Sequence, residues 1–171
     1  MDRVRILIFI ISQLIGLIAF AFSLVAYHKK DKNSILSNMV VSNILNLVHY
    51  LLLGALSGSV TKIIAIFRDL FIIFKDKYKI RGNIFLLIFI GIYVIACIWM
   101  YTDIYSIFPL VAAIIYLVQS WNGNEKTVKM TALLCYFLWL FYNIVVFSIA
   151  GIISNAISII STGIAVWKNG I

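Results

Sequence analysis

Charged residues, proline and cysteine are all scarce in this sequence. Only 12% of its 171 residues are charged, six residues are acidic, one is proline and two are cysteine. Soluble domains carry about 25% charged and roughly 45–50% apolar residues. This chain is 64% apolar and has a mean hydropathy of +1.09. A soluble domain of this length could not bury so much apolar surface, so we expect a lipid bilayer to be its solvent.

The missing motifs exclude several kinds of function. Cys97 and Cys135 lie inside apolar runs without a second ligand at metal-binding spacing, so no metal or other cofactor is expected. The chain has no Ser-His-Asp spacing and no pair of catalytic acids, so we do not expect an enzyme. The net charge of +8 comes from Lys and Arg in short loops between apolar runs. Such a distribution favours membrane orientation over nucleic-acid binding.

Seven apolar segments are long enough to approach the thickness of a bilayer, which takes about 17–25 helical residues. They lie at about 6–27, 36–56, 59–75, 82–101, 104–120, 131–149 and 151–167. The first is too long for the apolar part of a signal peptide, so we expect it to remain a membrane helix. The predicted fold is all-α, a polytopic membrane protein with seven transmembrane helices.

The basic residues predict the orientation of the chain. Ten Lys and Arg fall in the loops at 28–35, 75–81 and 121–130 and in the C-terminal tail, whereas the opposite side holds only Arg3 and Arg5. Because cytoplasmic loops carry the excess of positive charge, we expect the N-terminus outside and the C-terminus in the cytoplasm.

Shifting the sequence by 93 residues lays 11–75 over 104–168 without a gap. The identities alone are weak in so apolar a chain, but both tight hairpins, both basic first loops and both basic exits coincide. The sequence therefore predicts two parallel three-helix repeats, 1–81 and 102–171, joined by a linker helix at 82–101. Gly16 then falls opposite Pro109, and we expect this pair to act as hinges, since either residue loosens a helix.

Three stretches carry a resemblance to a known family. "QLIGLIAF" (13–20), "HYLLLGALSG" (49–58) and "IIAIFRDLF" (63–71) resemble the YgjV-type bacterial inner-membrane proteins. The 3+1+3 plan is similar to that of the PQ-loop superfamily, which includes the SWEET sugar facilitators and the PnuC-type vitamin transporters. The resemblance implies a location in the bacterial inner membrane and a small solute carried by alternating access. The proline-glutamine pair of the superfamily is absent from this chain.

Polar side chains within the apolar segments are the candidates for solute contact, because such groups are costly in lipid and usually face a bundle interior or a wet cavity. The candidate substrate-binding residues are Asn46, His49, Arg68, Asp69, Trp139, Tyr142, Asn143 and Asn155. The alternatives are that the polar groups join helices by hydrogen bonds and that the aromatic rings only pack. The resemblance to SWEET facilitators implies substrate contact for Asn155, where Lys62 takes the matching position of the first repeat. His49 could titrate near neutrality and couple transport to protons, or simply donate a hydrogen bond.

Arg68 and Asp69 lie well inside the third segment. They could form a structural salt bridge or line a cavity; adjacent residues on a helix point about 100° apart and need not pair. If Arg68 faces a cavity, its planar fork favours an anionic or carboxylate-bearing solute.

Two functions remain open. The first is a small-solute transporter or facilitator. Its expected partners are the solute and the lipid bilayer, and no nucleic acid is expected to bind. The second is a non-transporting membrane receptor or an accessory subunit of a complex. Assembly as a homo-oligomer is left open.

Overall fold

The protein is described by a computed structural model that covers residues 3–27, 32–78, 83–101, 103–122 and 125–168. Side chains are described within these ranges except at 27, 32–33, 76, 122, 125–130 and 165–168. Much of the predicted basic loops at 28–35, 75–81 and 121–130 therefore lies outside the described residues or side chains.

The described residues form seven α-helices and one short 3-10 helix, which confirms the predicted all-α fold. The α-helices are α1 (Arg3–Tyr27), α2 (Lys32–Leu52), α3 (Leu56–Lys77), α4 (Ile84–Trp99), α5 (Phe108–Asn122), α6 (Glu125–Val145) and α7 (Ile149–Lys168). The 3-10 helix at Ile104–Ile107 leads directly into α5. The predicted segment 104–120 is thus divided, and Pro109 lies in the first turn of α5, where a missing backbone N–H breaks no helical hydrogen bond. Gly16 lies inside α1.

A tight turn joins α2 to α3. Gly54 adopts a positive φ of 71°. The Ala55 N–H donates to the Tyr50 carbonyl at 2.9 Å, and the Gly54 N–H donates to the Leu51 carbonyl at 3.1 Å. These two bonds and the left-handed residue form a Schellman motif, which satisfies the last carbonyls of α2 and reverses the chain. The tight hairpin predicted between the second and third segments is present.

The turn between α6 and α7 has the same form at positions 93 residues later. Ser148 N–H donates to the Asn143 carbonyl at 2.9 Å and Phe147 N–H to the Ile144 carbonyl at 3.3 Å. Phe147 takes the left-handed place of Gly54, with a φ of 53°. Left-handed backbone costs an L-residue with a side chain about 1–2 kcal/mol, so Phe147 is a strained residue.

We expect Phe147→Gly to be more stable than Phe147→Ala by about 1 kcal/mol, because both remove the ring but only glycine relieves the positive φ. Gly54→Ala should lose a similar amount for the same reason. Thermal unfolding in detergent gives the melting temperatures of the three variants and of the unchanged protein. If Phe147→Gly and Phe147→Ala were equally stable, the backbone strain inferred at Phe147 would be contradicted.

The helices pack as two compact units, Met1–Asn83 and Ile84–Ile171. In the first, α2 packs against both α1 and α3. In the second, α5 packs against α4 and α6, and α6 packs against α7. The predicted linker helix, α4, therefore contacts the helix that follows it. The 3+1+3 arrangement stays a prediction.

Three segments of the described residues are long and apolar enough to cross a bilayer: Arg3–Ala26, Ser34–Leu52 and Ile104–Trp121. The apolar helices Ile84–Trp99, Thr131–Val145 and Ile149–Ile164 are shorter. Helix α3 is long but carries Lys62, Arg68 and Asp69 along its length. Helix α3 therefore holds charged side chains between its two ends.

Candidate functional site

Arg68 and Asp69 form an ion pair inside the first unit. The Arg68 Nε and Nη2 atoms both approach Asp69 Oδ1, at 2.8 Å and 2.7 Å. The two residues are neighbours on α3, so the flexible arginine bends back to reach the carboxylate. Adjacent side chains on a helix point about 100° apart, so the sequence did not decide whether Arg68 and Asp69 pair. In the structure they do.

This ion pair is buried. Arg68 is 4% exposed and Asp69 is 0% exposed. Asn43 of α2 donates its Nδ2 to the second carboxylate oxygen, Oδ2, at 3.0 Å. Charged groups away from water need a counter-charge and hydrogen bonds to their remaining atoms, and Asp69 has both. The cluster of Asn43, Arg68 and Asp69, called the ion-pair cluster below, joins α2 to α3.

Lys62 adds a second positive charge near this cluster. It lies two turns before Asp69 on α3 and is half-buried. Its charge acts on both the Asp69 carboxylate and the His49 imidazole. The described side chains around the cluster therefore contain two cations and one anion.

Ser42, Asn46 and His49 are spaced four and three residues apart and form one polar face of α2. Two of these side chains bond to the backbone of α1. Ser42 Oγ donates to the Ala19 carbonyl at 2.8 Å, and His49 Nδ1 donates to the Ser12 carbonyl at 2.6 Å. His49 is 1% exposed. Because the carbonyl accepts, Nδ1 carries a proton, which fixes the tautomer of a neutral ring. For Ser42 and His49 the geometry matches the helix-joining alternative.

Asn46, the third member of this face, bonds within α2. Its Nδ2 donates to the Ser42 carbonyl at 3.0 Å and lies 3.3 Å from Ser42 Oγ. It is half-buried. Both of these Asn46 contacts thus go to Ser42, one turn earlier on the same helix.

The second unit contains an equivalent of one of these bonds. Cys135 Sγ donates to the Ala112 carbonyl at 3.4 Å, and these residues lie 93 positions after Ser42 and Ala19. A thiol is the weaker donor. One hydrogen bond between α5 and α6 therefore joins the same pair of positions as one hydrogen bond between α1 and α2.

The predicted aromatic residues of the second unit contact each other. Trp139 and Tyr142 pack edge to face, with ring centroids 5.8 Å apart. Tyr142 is buried and Trp139 is half-buried. An edge-to-face pair of this kind adds packing energy whether or not it also meets a solute.

The two predicted asparagines of the second unit lie near the start of α7. Asn143 is 1% exposed, and its side chain packs directly on Gly151. Asn155 Nδ2 donates to the Gly151 carbonyl at 2.9 Å and is half-buried. The backbone of Gly151 therefore contacts one asparagine and accepts a hydrogen bond from the other.

The two units differ in charge. Asp103 is the one charged residue of the sequence ranges 84–122 and 131–164. The positions 93 residues after Lys62, Arg68 and Asp69 hold Asn155, Ser161 and Thr162. Among the described residues, charged side chains within the apolar segments therefore lie in the first unit.

Sequence reasoning missed two partners. They are Asn43, which bonds to Asp69, and Ser12, whose carbonyl accepts from His49. Asn43 could have been found, because the short turn makes α2 and α3 antiparallel and brings residues at comparable distances from it to the same depth. Nothing in the sequence distinguishes the Ser12 carbonyl, since every helical residue has one.

A family model described as a bacterial inner membrane protein, Imp-YgjV, matches residues 10–170. The chain belongs to this family. Membership places it in the bacterial inner membrane and confirms the resemblance of the three sequence stretches to YgjV-type proteins. No curated protein and no solved structure matches the chain. In this member of the Imp-YgjV family, the ion-pair cluster is the most strongly polar feature of the described interior.

Proposed function

We propose that this inner membrane protein is a transporter or facilitator of a small anionic solute. The observation that carries the proposal is the ion pair of Arg68 and Asp69, buried among apolar helices. A charged side chain at the centre of a membrane helix costs about 2.5–3.5 kcal/mol on insertion scales. Charged residues at such depth commonly mark a substrate or ion pathway.

A purely structural role explains the ion pair less well. Replacing a buried pair by apolar residues of similar size is often neutral or even stabilising by about 1–4 kcal/mol. The second unit joins its helices with neutral groups, such as Cys135 on the Ala112 carbonyl. Charge is therefore not needed to join helices in this chain, and a use in recognition accounts for its presence in α3.

The positive charges favour an anion. Lys62 and Arg68 outnumber Asp69, so a solute with one negative charge balances the group. The arginine fork matches carboxylate and phosphate oxygens. The remaining candidate contacts form part of the proposal as sequence predictions: Asn46, His49, Trp139, Tyr142, Asn143 and Asn155.

The proposed architecture consists of two parallel three-helix repeats with α4 as linker, working by alternating access as in SWEET-like transporters. The hydrogen bonds that recur 93 residues apart, Ser42 to Ala19 and Cys135 to Ala112, support this repeat. The matching Schellman turns at Gly54 and Phe147 support it further. The N-terminus outside and the C-terminus in the cytoplasm belong to the same proposal, with Gly16 and Pro109 as hinges.

The test compares metabolite pools of cells with and without the protein, then measures uptake of the changed metabolites into proteoliposomes. We expect saturable uptake of at least one anionic metabolite, above that of empty liposomes. Absence of any flux, together with stable co-purification of another membrane protein, would instead support the receptor or accessory subunit.

A further inference from the structure

We infer that Asp69 is an internal substitute for the solute: in the empty protein its carboxylate occupies the place on Arg68 that a solute carboxylate takes during binding. This inference rests on the proposed function and specifies the class of solute as a small carboxylate. It also assigns Asp69 a role distinct from direct solute contact, as the residue that sets the affinity of Arg68 for the solute.

The geometry of the ion pair is not the strongest that an arginine can form with a carboxylate. Both Arg68 nitrogens, Nε and Nη2, approach the same carboxylate oxygen, Asp69 Oδ1. The strongest arginine–carboxylate contact uses both oxygens in two parallel N–H to O bonds. Oδ2 of Asp69 is instead occupied by Asn43, at 3.0 Å. A free carboxylate can turn both oxygens toward Arg68, which the tethered Asp69 does not do here.

The surroundings can hold Asp69 after it is displaced. The Asn43 amide donates to Oδ2, an oxygen that does not contact Arg68, so this bond need not break. The positive charge of Lys62 also acts on the Asp69 carboxylate. In the solute-bound state Asp69 is balanced by Lys62 and the solute by Arg68, so two cations face two anions. The displaced carboxylate thus keeps its hydrogen bond from Asn43 and has a lysine two turns earlier on the same helix.

The burial of the pair explains why Asp69 is needed in the empty state. Arg68 is only 4% exposed, and an unpaired guanidinium there would be costly. The adjacent Asp69 carboxylate neutralises the Arg68 guanidinium while the site is empty. When a solute arrives, Asp69 competes only weakly with it for Arg68. The same arrangement lowers the apparent affinity, because a solute must displace an internal ligand.

The variant Asp69→Asn tests the inference on purified full-length protein, with benzoate and acetate as probes and chloride as the reference anion. We expect the benzoate concentration that gives half of the maximal rise in melting temperature to fall at least about tenfold relative to the unchanged protein, since the internal competitor is gone. Asp103→Asn removes an exposed carboxylate and should leave that concentration unchanged. The inference would be overturned if Asp69→Asn and the unchanged protein had the same half-saturating benzoate concentration. It would also be overturned if neither benzoate nor acetate raised the melting temperature of either protein. A stronger response to inorganic phosphate than to benzoate would overturn the carboxylate assignment.

Infrared difference spectra of the unchanged protein give a second measurement that needs no stable variant. Acetate labelled with ¹³C at its carboxylate separates the probe band from protein carboxylate bands. We expect addition of the probe to shift one protein carboxylate band, because the Asp69 carboxylate leaves Arg68 and is then balanced by Lys62. Probe binding without any change in a protein carboxylate would contradict the displacement. Both measurements report binding alone, so the inference can fail while transport is observed, and transport can fail while the inference holds.

Discussion

Arg68→Met is expected to destabilise the protein by roughly 3 kcal/mol, or on the order of 10 °C in melting temperature. Methionine keeps much of the side-chain length but leaves the Asp69 carboxylate, 0% exposed, without its counter-charge. Breaking a buried pair by removing one partner costs about 3–5 kcal/mol, because the remaining charge stays buried. Thermal unfolding of the detergent-purified variant measures the loss.

The double variant Arg68→Met/Asp69→Asn is the control for this effect. It removes both charges, and the amide oxygen of the new side chain can still accept the hydrogen bond from Asn43. We expect it to recover most of the stability lost in Arg68→Met, since a pair removed together is far less costly than one partner removed alone. A double variant as unstable as Arg68→Met would show that the loss comes from packing rather than from charge.

Gly151→Ala is expected to cost about 2 kcal/mol, the middle of the range for overpacked interiors. A Cβ atom at this position would overlap the Cγ, Oδ1 and Nδ2 atoms of Asn143. Asn143 is 1% exposed, so its side chain has little space into which it can move. The substitution should therefore push α7 away from α6, and the melting temperature should fall.

Gly163→Ala on the same helix is the matched control. A Cβ at Gly163 meets nothing within 4 Å. Because glycine inside a helix is less stable than alanine by about 0.5–1 kcal/mol, this variant should be as stable as the unchanged protein or slightly more so. Asn143→Ala should relieve much of the cost of Gly151→Ala in the double variant. If Gly151→Ala and Gly163→Ala have the same stability, the close packing of α6 on α7 is contradicted.

The helices and their turns were largely predictable from the sequence, and for physical reasons. Apolar runs of bilayer length must satisfy their backbone groups internally, so they form helices. The turn at Gly54 was marked by glycines, which adopt positive φ without a Cβ clash. The turn at Phe147 is less visible, since a phenylalanine occupies the left-handed position. The signal that located it was Gly151 in the short stretch 148–152, which falls opposite Gly58 at a shift of 93 residues.

The candidate site was predictable in its residue types but not in its contacts. Arg68 and Asp69 were conspicuous because charge is rare in this chain, yet their pairing depends on how the arginine side chain bends. The polar face of α2 was visible from its helical spacing, but the spacing does not say what the face meets. In the structure Ser42 and His49 contact carbonyl groups of α1. Backbone acceptors carry no sequence signal, so this distinction required the packing of the helices.

Uptake by the double variant Arg68→Met/Asp69→Asn tests most directly whether the ion pair serves recognition or only structure. The variant, the unchanged protein and Asp103→Asn are reconstituted at equal amounts, after their melting temperatures show that all three are folded. Uptake of the anion identified from the metabolite pools is then measured into each set of proteoliposomes. We predict normal uptake by Asp103→Asn and loss of nearly all uptake by the folded double variant. Uptake by that variant at the rate of the unchanged protein would contradict a role of Arg68 and Asp69 in transport.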